Sequence, residues 1–121
     1  VIDDQFGAPT GADLLADVTA HALRSAMREP GLQGTSHVAP RGETTWHGYA
    51  QHVISRARAA GLPIKVAEDA IAAVPTSAFP TPARRPANSR LNTHKLRHTF
   101  DLHLPDWQLG VDRMLAEFLQ K

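Results

Sequence analysis

The segment from residue 70 to residue 100 carries positive charge with no Asp or Glu to offset it. Its basic side chains are Arg84, Arg85, Arg90, Lys95 and Arg97. Arginine binds phosphate and diphosphate groups through paired, charge-assisted hydrogen bonds, so a cationic loop of this kind could hold a phosphorylated ligand. Surface arginine is also commonly solvated or paired with distant acids, and charge alone does not decide between the two interpretations.

A nucleic acid is a less favoured partner for these cations. Proteins bind single strands by stacking bases on aromatic side chains, and none lies between Phe79 and Phe100. The formal net charge of the chain is only +1. We therefore expect no nucleic-acid partner.

The histidines suggest a metal site as a second kind of chemistry. His94 and His98 are four residues apart in a predicted helix, so they share one face. A zinc site needs a third ligand and a more specific motif than this pair. We interpret the histidines as structural or surface residues.

The sequence lacks three common catalytic motifs. It has no G-x-G-x-x-G turn for a dinucleotide and no G-x-S-x-G. A Tyr-x-x-x-Lys pair is also missing, because Val53 follows the single tyrosine, Tyr49, at that spacing. We expect no catalytic residue in this chain, and we interpret Tyr49 and Trp46 as core residues of a helix.

Length and composition indicate one small globular domain. The 121 residues are 42% hydrophobic and include no cysteine, which excludes disulfides and thiolate metal sites. No apolar run approaches the roughly 20 residues that cross a bilayer, and the first residues do not resemble a signal peptide. We expect a cytoplasmic protein with no membrane contact.

The predicted elements are helices joined by short strands and one long loop. Apolar spacing predicts helices over Ala12–Arg28 with Thr10 as N-cap, from Thr44 or Thr45 to about Gly61, over Thr93–Thr99, and from Pro105-Asp106 onward. Extended segments are expected at residues 1–4, 34–38 and 62–66. Four prolines (Pro75, Pro80, Pro82 and Pro86) favour a stiff, irregular loop over residues 70–92, and loops of that length are usually functional or disordered.

Four strings carry a resemblance to a known family. They are VIDDQFGAPTGADLLAD (1–17), GETTWHGYA (42–50), VPTSAFPTPARRPANSRLNTHKL (74–96) and LPDWQLGVDRMLAE (104–117). In order and spacing they resemble consecutive segments of the dTDP-4-dehydrorhamnose reductases, which are extended short-chain dehydrogenase/reductases.

The resemblance implies an α/β fold. Residues 1–121 would form the small C-terminal, sugar-nucleotide-binding domain, with prominent helices and a few short strands. It also implies that residues 1–10 are an interdomain strand and linker, and that the loop 70–92 forms a wall of the substrate cleft. The N-terminal Rossmann domain, absent from these residues, would bind NADPH or NADH and supply the catalytic Tyr and Lys. The whole enzyme would reduce dTDP-4-dehydro-L-rhamnose to dTDP-L-rhamnose, and this part alone would be inactive.

By the same resemblance, part of the proline-rich loop would contact the dTDP-sugar. The candidate residues are Arg84, Arg85, Asn88, Ser89 and Arg90. The arginines could contact the diphosphate, and the Asn and Ser could hydrogen-bond the sugar or the backbone. The alternative is that residues 88–91 mainly lock the loop to the domain.

Some members of the family are magnesium-dependent homodimers with carboxylates at the subunit interface. The matching positions are Asp13, where the family pattern has Glu, and Glu117. Magnesium prefers oxygen ligands, so a few carboxylates suffice. The alternative is helix N-terminal charge for Asp13 and an i,i+4 pair of Glu117 with Lys121, and we favour it for these residues.

A non-catalytic role is the second functional hypothesis. Proteins of this fold also serve as regulatory subunits, as in methionine adenosyltransferase. A Tyr-x-x-x-Lys and a glycine-rich turn ahead of Val1 would favour the reductase, and their absence would favour the regulator.

Overall fold

The structure, a computed structural model, describes residues 1–120. Four helices dominate it: α1 (Ala12–Arg28), α2 (Trp46–Ala59), α3 (His94–Phe100) and α4 (Trp107–Leu119). Strands β1 (Phe6–Gly7) and β2 (Thr44–Thr45) pair antiparallel, and 3-10 turns span Pro30–Leu32, Glu68–Ala70 and Thr76–Ala78. The predicted α/β class with prominent helices and few short strands is confirmed.

Local capping signals place the helix ends. Thr45 precedes α2, and its side-chain oxygen accepts a hydrogen bond from the backbone N–H of Gly48, 3.1 Å away. Gly61 follows the end of α2 with φ of +91°, a conformation that favours glycine. The predicted cap of α1 at Thr10 is wrong. Gly11 is the N-cap, and the hydroxyl of Thr10 donates instead to the carbonyl oxygen of Ala8.

The core is small and lies in two places. Val18 of α1, Leu96 of α3 and Leu104 form one buried cluster, against which Val38 also packs. Helices α2 and α4 pack on each other near Ala57, Trp107 and Val111, which are buried as well. Leu96, 4% exposed, is the most buried core residue. Several large apolar side chains, such as Met27 and Phe118, are exposed to solvent.

A polar cluster reinforces the contact of α2 with α4. Nε2 of His52 lies 2.6 Å from Oδ1 of Asp112, and Nε of Arg56 lies 3.2 Å from the same oxygen. The ring of His52 meets the ring of Trp107 edge-on, with centroids 5.1 Å apart. The position of α2, and therefore of its first residue, is tied to α4 through these contacts.

The strands predicted at residues 34–38 and 62–66 are wrong, because neither segment is paired into a sheet. Val38 packs against the core cluster from an extended segment with no partner strand. In the other segment, the N–H of Leu62 donates a hydrogen bond to the carbonyl oxygen of Ala57, in the last turn of α2. The segment expected at residues 1–4 forms only a bridge from Ile2 to Val74, and the strand begins later, at Phe6.

The helices within residues 1–120 are too short or too polar to cross a bilayer.

Replacing Leu96 by Ala should lower the free energy of unfolding by about 2–4 kcal/mol, because it opens a cavity in a small core. Urea denaturation measures the change. Leu91→Ala is the matched control, since Leu91 is 50% exposed. A loss for Leu91→Ala as large as that for Leu96→Ala would contradict this description of the core.

Candidate functional site

A cleft of about 900 Å³ lies between the first nine residues, the start of α2 and the proline-rich loop. Residues 1–7, of which Ile2 and 5–7 line the cleft, are called its floor, and the segment hydrogen-bonds along both edges. On one edge Phe6 pairs with Thr45 of β2. On the other edge the N–H of Phe6 donates to the carbonyl oxygen of Ala87, and the N–H of Ser89 donates to that of Phe6, each at 2.8 Å. The segment therefore joins the two walls of the cleft.

Aromatic side chains line much of the cleft. They belong to Phe6, Trp46, Tyr49 and Phe79. The rings of Trp46 and Tyr49 meet edge-on with centroids 6.4 Å apart. The prediction that Trp46 is a core residue is wrong, because its side chain is 57% exposed. As the first residue of α2, directly after the cap, it points away from the helix contact with α4 and into the cleft.

The charge of the cleft comes from one side chain. Arg85 lines it, together with Ser89 and Thr81 from the same loop, and none of the lining residues among those described is acidic. A single cation without a neighbouring carboxylate, set among aromatic rings, suits a ligand that combines an anionic group with flat or apolar surface.

The other three predicted ligand contacts lie outside the cleft lining. Arg84 is exposed. Oδ1 of Asn88 accepts hydrogen bonds from the backbone N–H and from Nε of Arg90, at 3.1 and 2.9 Å. The guanidinium of Arg90 also lies 3.0 Å from Glu43 and 5.3 Å from the ring centroid of Phe6. These contacts favour the alternative in which Asn88 and Arg90 fasten the loop to the domain.

Two neighbouring acids fasten the floor of the cleft to opposite walls. Oδ1 of Asp3 accepts a hydrogen bond from the hydroxyl of Thr45 at 2.5 Å. The carboxylate of Asp4 accepts from the hydroxyl of Thr76 at 2.5 Å and from its backbone N–H at 2.9 Å. The hydroxyl of Thr76, and then its N–H, lowers the pKa of Asp4 below its usual range.

The candidate metal ligands meet at an arginine. Nε of Arg113 lies 3.3 Å from Asp13 and 3.9 Å from Glu117. The guanidinium already balances both carboxylates, which does not suit a magnesium site built from these two residues. Lys121, the predicted partner of Glu117, lies outside the described residues.

The histidine pair does not extend to a larger set of ligands. The rings of His94 and His98 stack with centroids 5.7 Å apart. Within residues 1–120 no three His, Asp or Glu side chains come together as a metal site would require.

One protein family matches nearly the whole chain. The family described as the RmlD substrate binding domain matches residues 1–120. The chain belongs to that family. The resemblance noted in the sequence is thereby confirmed.

Curated relatives of this RmlD substrate binding domain are named dTDP-4-dehydrorhamnose reductase. The protein from Salmonella typhimurium is 58% identical over 97% of this chain, and that from Burkholderia thailandensis is 42% identical over 100% of it. The chain spans 38% and 42% of the lengths of these two relatives.

A solved structure of a dTDP-4-dehydrorhamnose reductase from Bacillus anthracis, in complex with NADP, has the same fold. Its TM-score with this chain is 0.75 at 29% identity, and the match covers 97% of this chain and 37% of that one. A reductase from Clostridium acetobutylicum gives a TM-score of 0.74 over 100% of this chain. The fold expected from the resemblance is thus confirmed.

Replacing Thr76 by Val should raise the pKa of Asp4, because the hydroxyl hydrogen bond favours the ionised carboxylate. Since the pKa of Asp4 is lowered in the folded state, this hydrogen bond stabilises the fold at pH values above the ordinary Asp pKa of about 3.9. That stabilisation is lost as pH falls through the lowered value. Carboxyl-detected NMR titration measures the shift. An unchanged pKa for Asp4 in Thr76→Val would contradict the assignment.

Replacing Arg90 by Ala should loosen the proline-rich loop, because it removes the contacts with Asn88, Glu43 and Phe6. We expect faster amide hydrogen exchange at Ser89, whose N–H bonds to Phe6. Arg84→Ala is the control and should leave that exchange rate unchanged. Equal exchange in wild type and Arg90→Ala would show that Arg90 does not fasten the loop.

Proposed function

We propose that this chain is the sugar-nucleotide-binding part of an NAD(P)H-dependent dTDP-4-dehydrorhamnose reductase. In the whole protein it would hold dTDP-4-dehydro-L-rhamnose while the 4-keto group is reduced to give dTDP-L-rhamnose. The observation that carries the proposal is the match to relatives of that name, 58% identical across 97% of the chain. The relatives are longer than this chain, so their remaining length would contribute the rest of the enzyme.

The chemistry of the cleft supports the proposal. A dTDP-sugar carries two phosphates, a flat base and a sugar with one less polar face. Arg85 offers a fork of N–H donors suited to a phosphate, and the rings of Trp46 and Phe79 offer surfaces for the base or the sugar. No carboxylate belongs to the described lining, so none competes there with an anionic ligand for direct contact with Arg85.

The contribution of this chain to the reaction would be binding and positioning. Holding a substrate in the reactive geometry can lower a barrier by several kcal/mol. The nicotinamide cofactor would supply the hydride, and the part of the enzyme outside this chain would bind it, because the chain has no glycine-rich dinucleotide turn. The cytoplasmic location stays a prediction, and a homodimer stays a possibility that the family resemblance raises.

In the full-length protein, Arg85→Ala should raise KM for dTDP-4-dehydro-L-rhamnose about tenfold, the cost of one hydrogen bond to a charged group. The value of kcat should change little, because the phosphate contact is present both before and during reduction. NADPH oxidation, followed by absorbance, measures both constants. Arg84→Ala is the matched control, because the neighbouring side chain does not line the cleft.

Unchanged kinetics in Arg85→Ala would reject the phosphate role of this residue. No dTDP-sugar-dependent NADPH or NADH oxidation by the wild-type full-length protein would reject the proposed reaction and favour a non-catalytic role.

A further inference from the structure

A chain of side-chain hydrogen bonds ends at the exposed ring of Trp46, the first residue of α2. The indole N–H of Trp46 donates to Oε1 of Gln5 at 3.1 Å. Nε2 of Gln5 donates to the hydroxyl oxygen of Thr76 at 3.3 Å, and that hydroxyl donates to Oδ1 of Asp4 at 2.5 Å. We call these four side chains the Trp46 relay.

The two ends of the Trp46 relay fix the direction of every bond within it. An indole N–H can only donate, and an ionised carboxylate can only accept. The amide of Gln5 must therefore turn its oxygen to Trp46 and its nitrogen to Thr76, which leaves the hydroxyl of Thr76 free to donate to Asp4. Bonds aligned in this way polarise one another, and the charged acceptor strengthens the last of them.

The hydrogen bonds from the hydroxyl and the backbone N–H of Thr76 lower the pKa of Asp4, which favours the ionised, accepting form of the carboxylate. At neutral pH the relay therefore keeps its acceptor end.

The relay supplies the restraint that packing does not give Trp46. Its side chain is 57% exposed and touches Tyr49 only edge-on, so burial does little to select one rotamer. Holding a large exposed side chain in one rotamer costs conformational entropy, which a directed hydrogen bond can offset. Gln5 and Trp46 both line the cleft, so the restrained ring is part of the ligand-binding surface.

We propose that Gln5 and Thr76 are positioning residues that hold the indole of Trp46 as a preset wall for the base or sugar of a bound nucleoside-diphosphate sugar. This inference rests on the proposed function. In the relay, Gln5 and Thr76 act through Trp46, so preorganisation of the ring raises affinity without a new contact to the ligand.

The test is calorimetric titration of the full-length protein with dTDP. Gln5→Met keeps the length of the side chain but removes both polar groups, and we expect dTDP binding to weaken about five- to tenfold, the effect of one lost hydrogen bond. Thr76→Val should weaken binding in the same direction, and Thr76→Ser, which keeps the hydroxyl, should restore it. Gln108→Met on α4 is the control for the Gln-to-Met change, because Gln108 is exposed and outside the cleft.

A double-mutant cycle separates positioning from general stability. Trp46→Phe keeps an aromatic face but has no N–H, so it already breaks the relay. Gln5→Met should lower the affinity for dTDP in the wild-type background. In the Trp46→Phe background it should cause no further loss. Thermal unfolding of each variant shows whether the protein is folded at the temperature of the titration.

The outcomes distinguish the two proposals. Weaker binding in Gln5→Met and Thr76→Val, rescue by Thr76→Ser and loss of the Gln5 effect in Trp46→Phe support the relay. Wild-type affinity in both Gln5→Met and Thr76→Val, or equal loss in the Trp46→Phe background, overturns the relay alone. If wild type does not bind dTDP, the proposed function and the role of the relay fall together.

Discussion

The pairing of residues 1–7 along both of their edges is the constraint on which the cleft depends. One edge meets β2 and the other meets Val74 and residues 87–89, so this short segment determines the separation of the two walls. The buried core clusters lie elsewhere, between α1 and α3 and between α2 and α4. The site is therefore shaped less by apolar burial than by backbone hydrogen bonds and by the bonds of Asp3 with Thr45 and of Asp4 with Thr76.

The helices could be predicted because their signals are local. Apolar spacing predicts α1 over Ala12–Arg28, as observed, and the predicted start of α2 at Thr44 or Thr45 includes the observed N-cap, Thr45. The strands could not be predicted in the same way, since a strand exists only where a distant partner pairs with it. A strand was expected over residues 34–38, but Val38 packs on the core without a pairing strand, and the real strands are two residues long.

The location of the candidate site could be predicted, but which loop residues line the cleft and which fasten the loop could not. Prolines and the lack of acids within residues 70–100 pointed to the loop. That Arg85 lines the cleft while Arg90 binds Glu43, 47 residues away, depends on tertiary contacts that spacing does not reveal. Trp46 fits the apolar stripe of α2, which predicts a core residue. Its position immediately after the helix cap is the sequence signal for an exposed side chain instead.

The bonds that assemble the cleft join residues about 70 positions apart, as between Asp4 and Thr76, whereas each helix closes its own bonds over four. Contacts between residues so far apart in sequence require a long loop to close, which costs conformational entropy. We therefore expect the pocket to be completed late in folding, after the helices have formed. The floor and both walls would then open and close as one cooperative unit. A ligand that binds only the closed form draws on that same equilibrium, so its affinity and the local stability of the unit are thermodynamically linked.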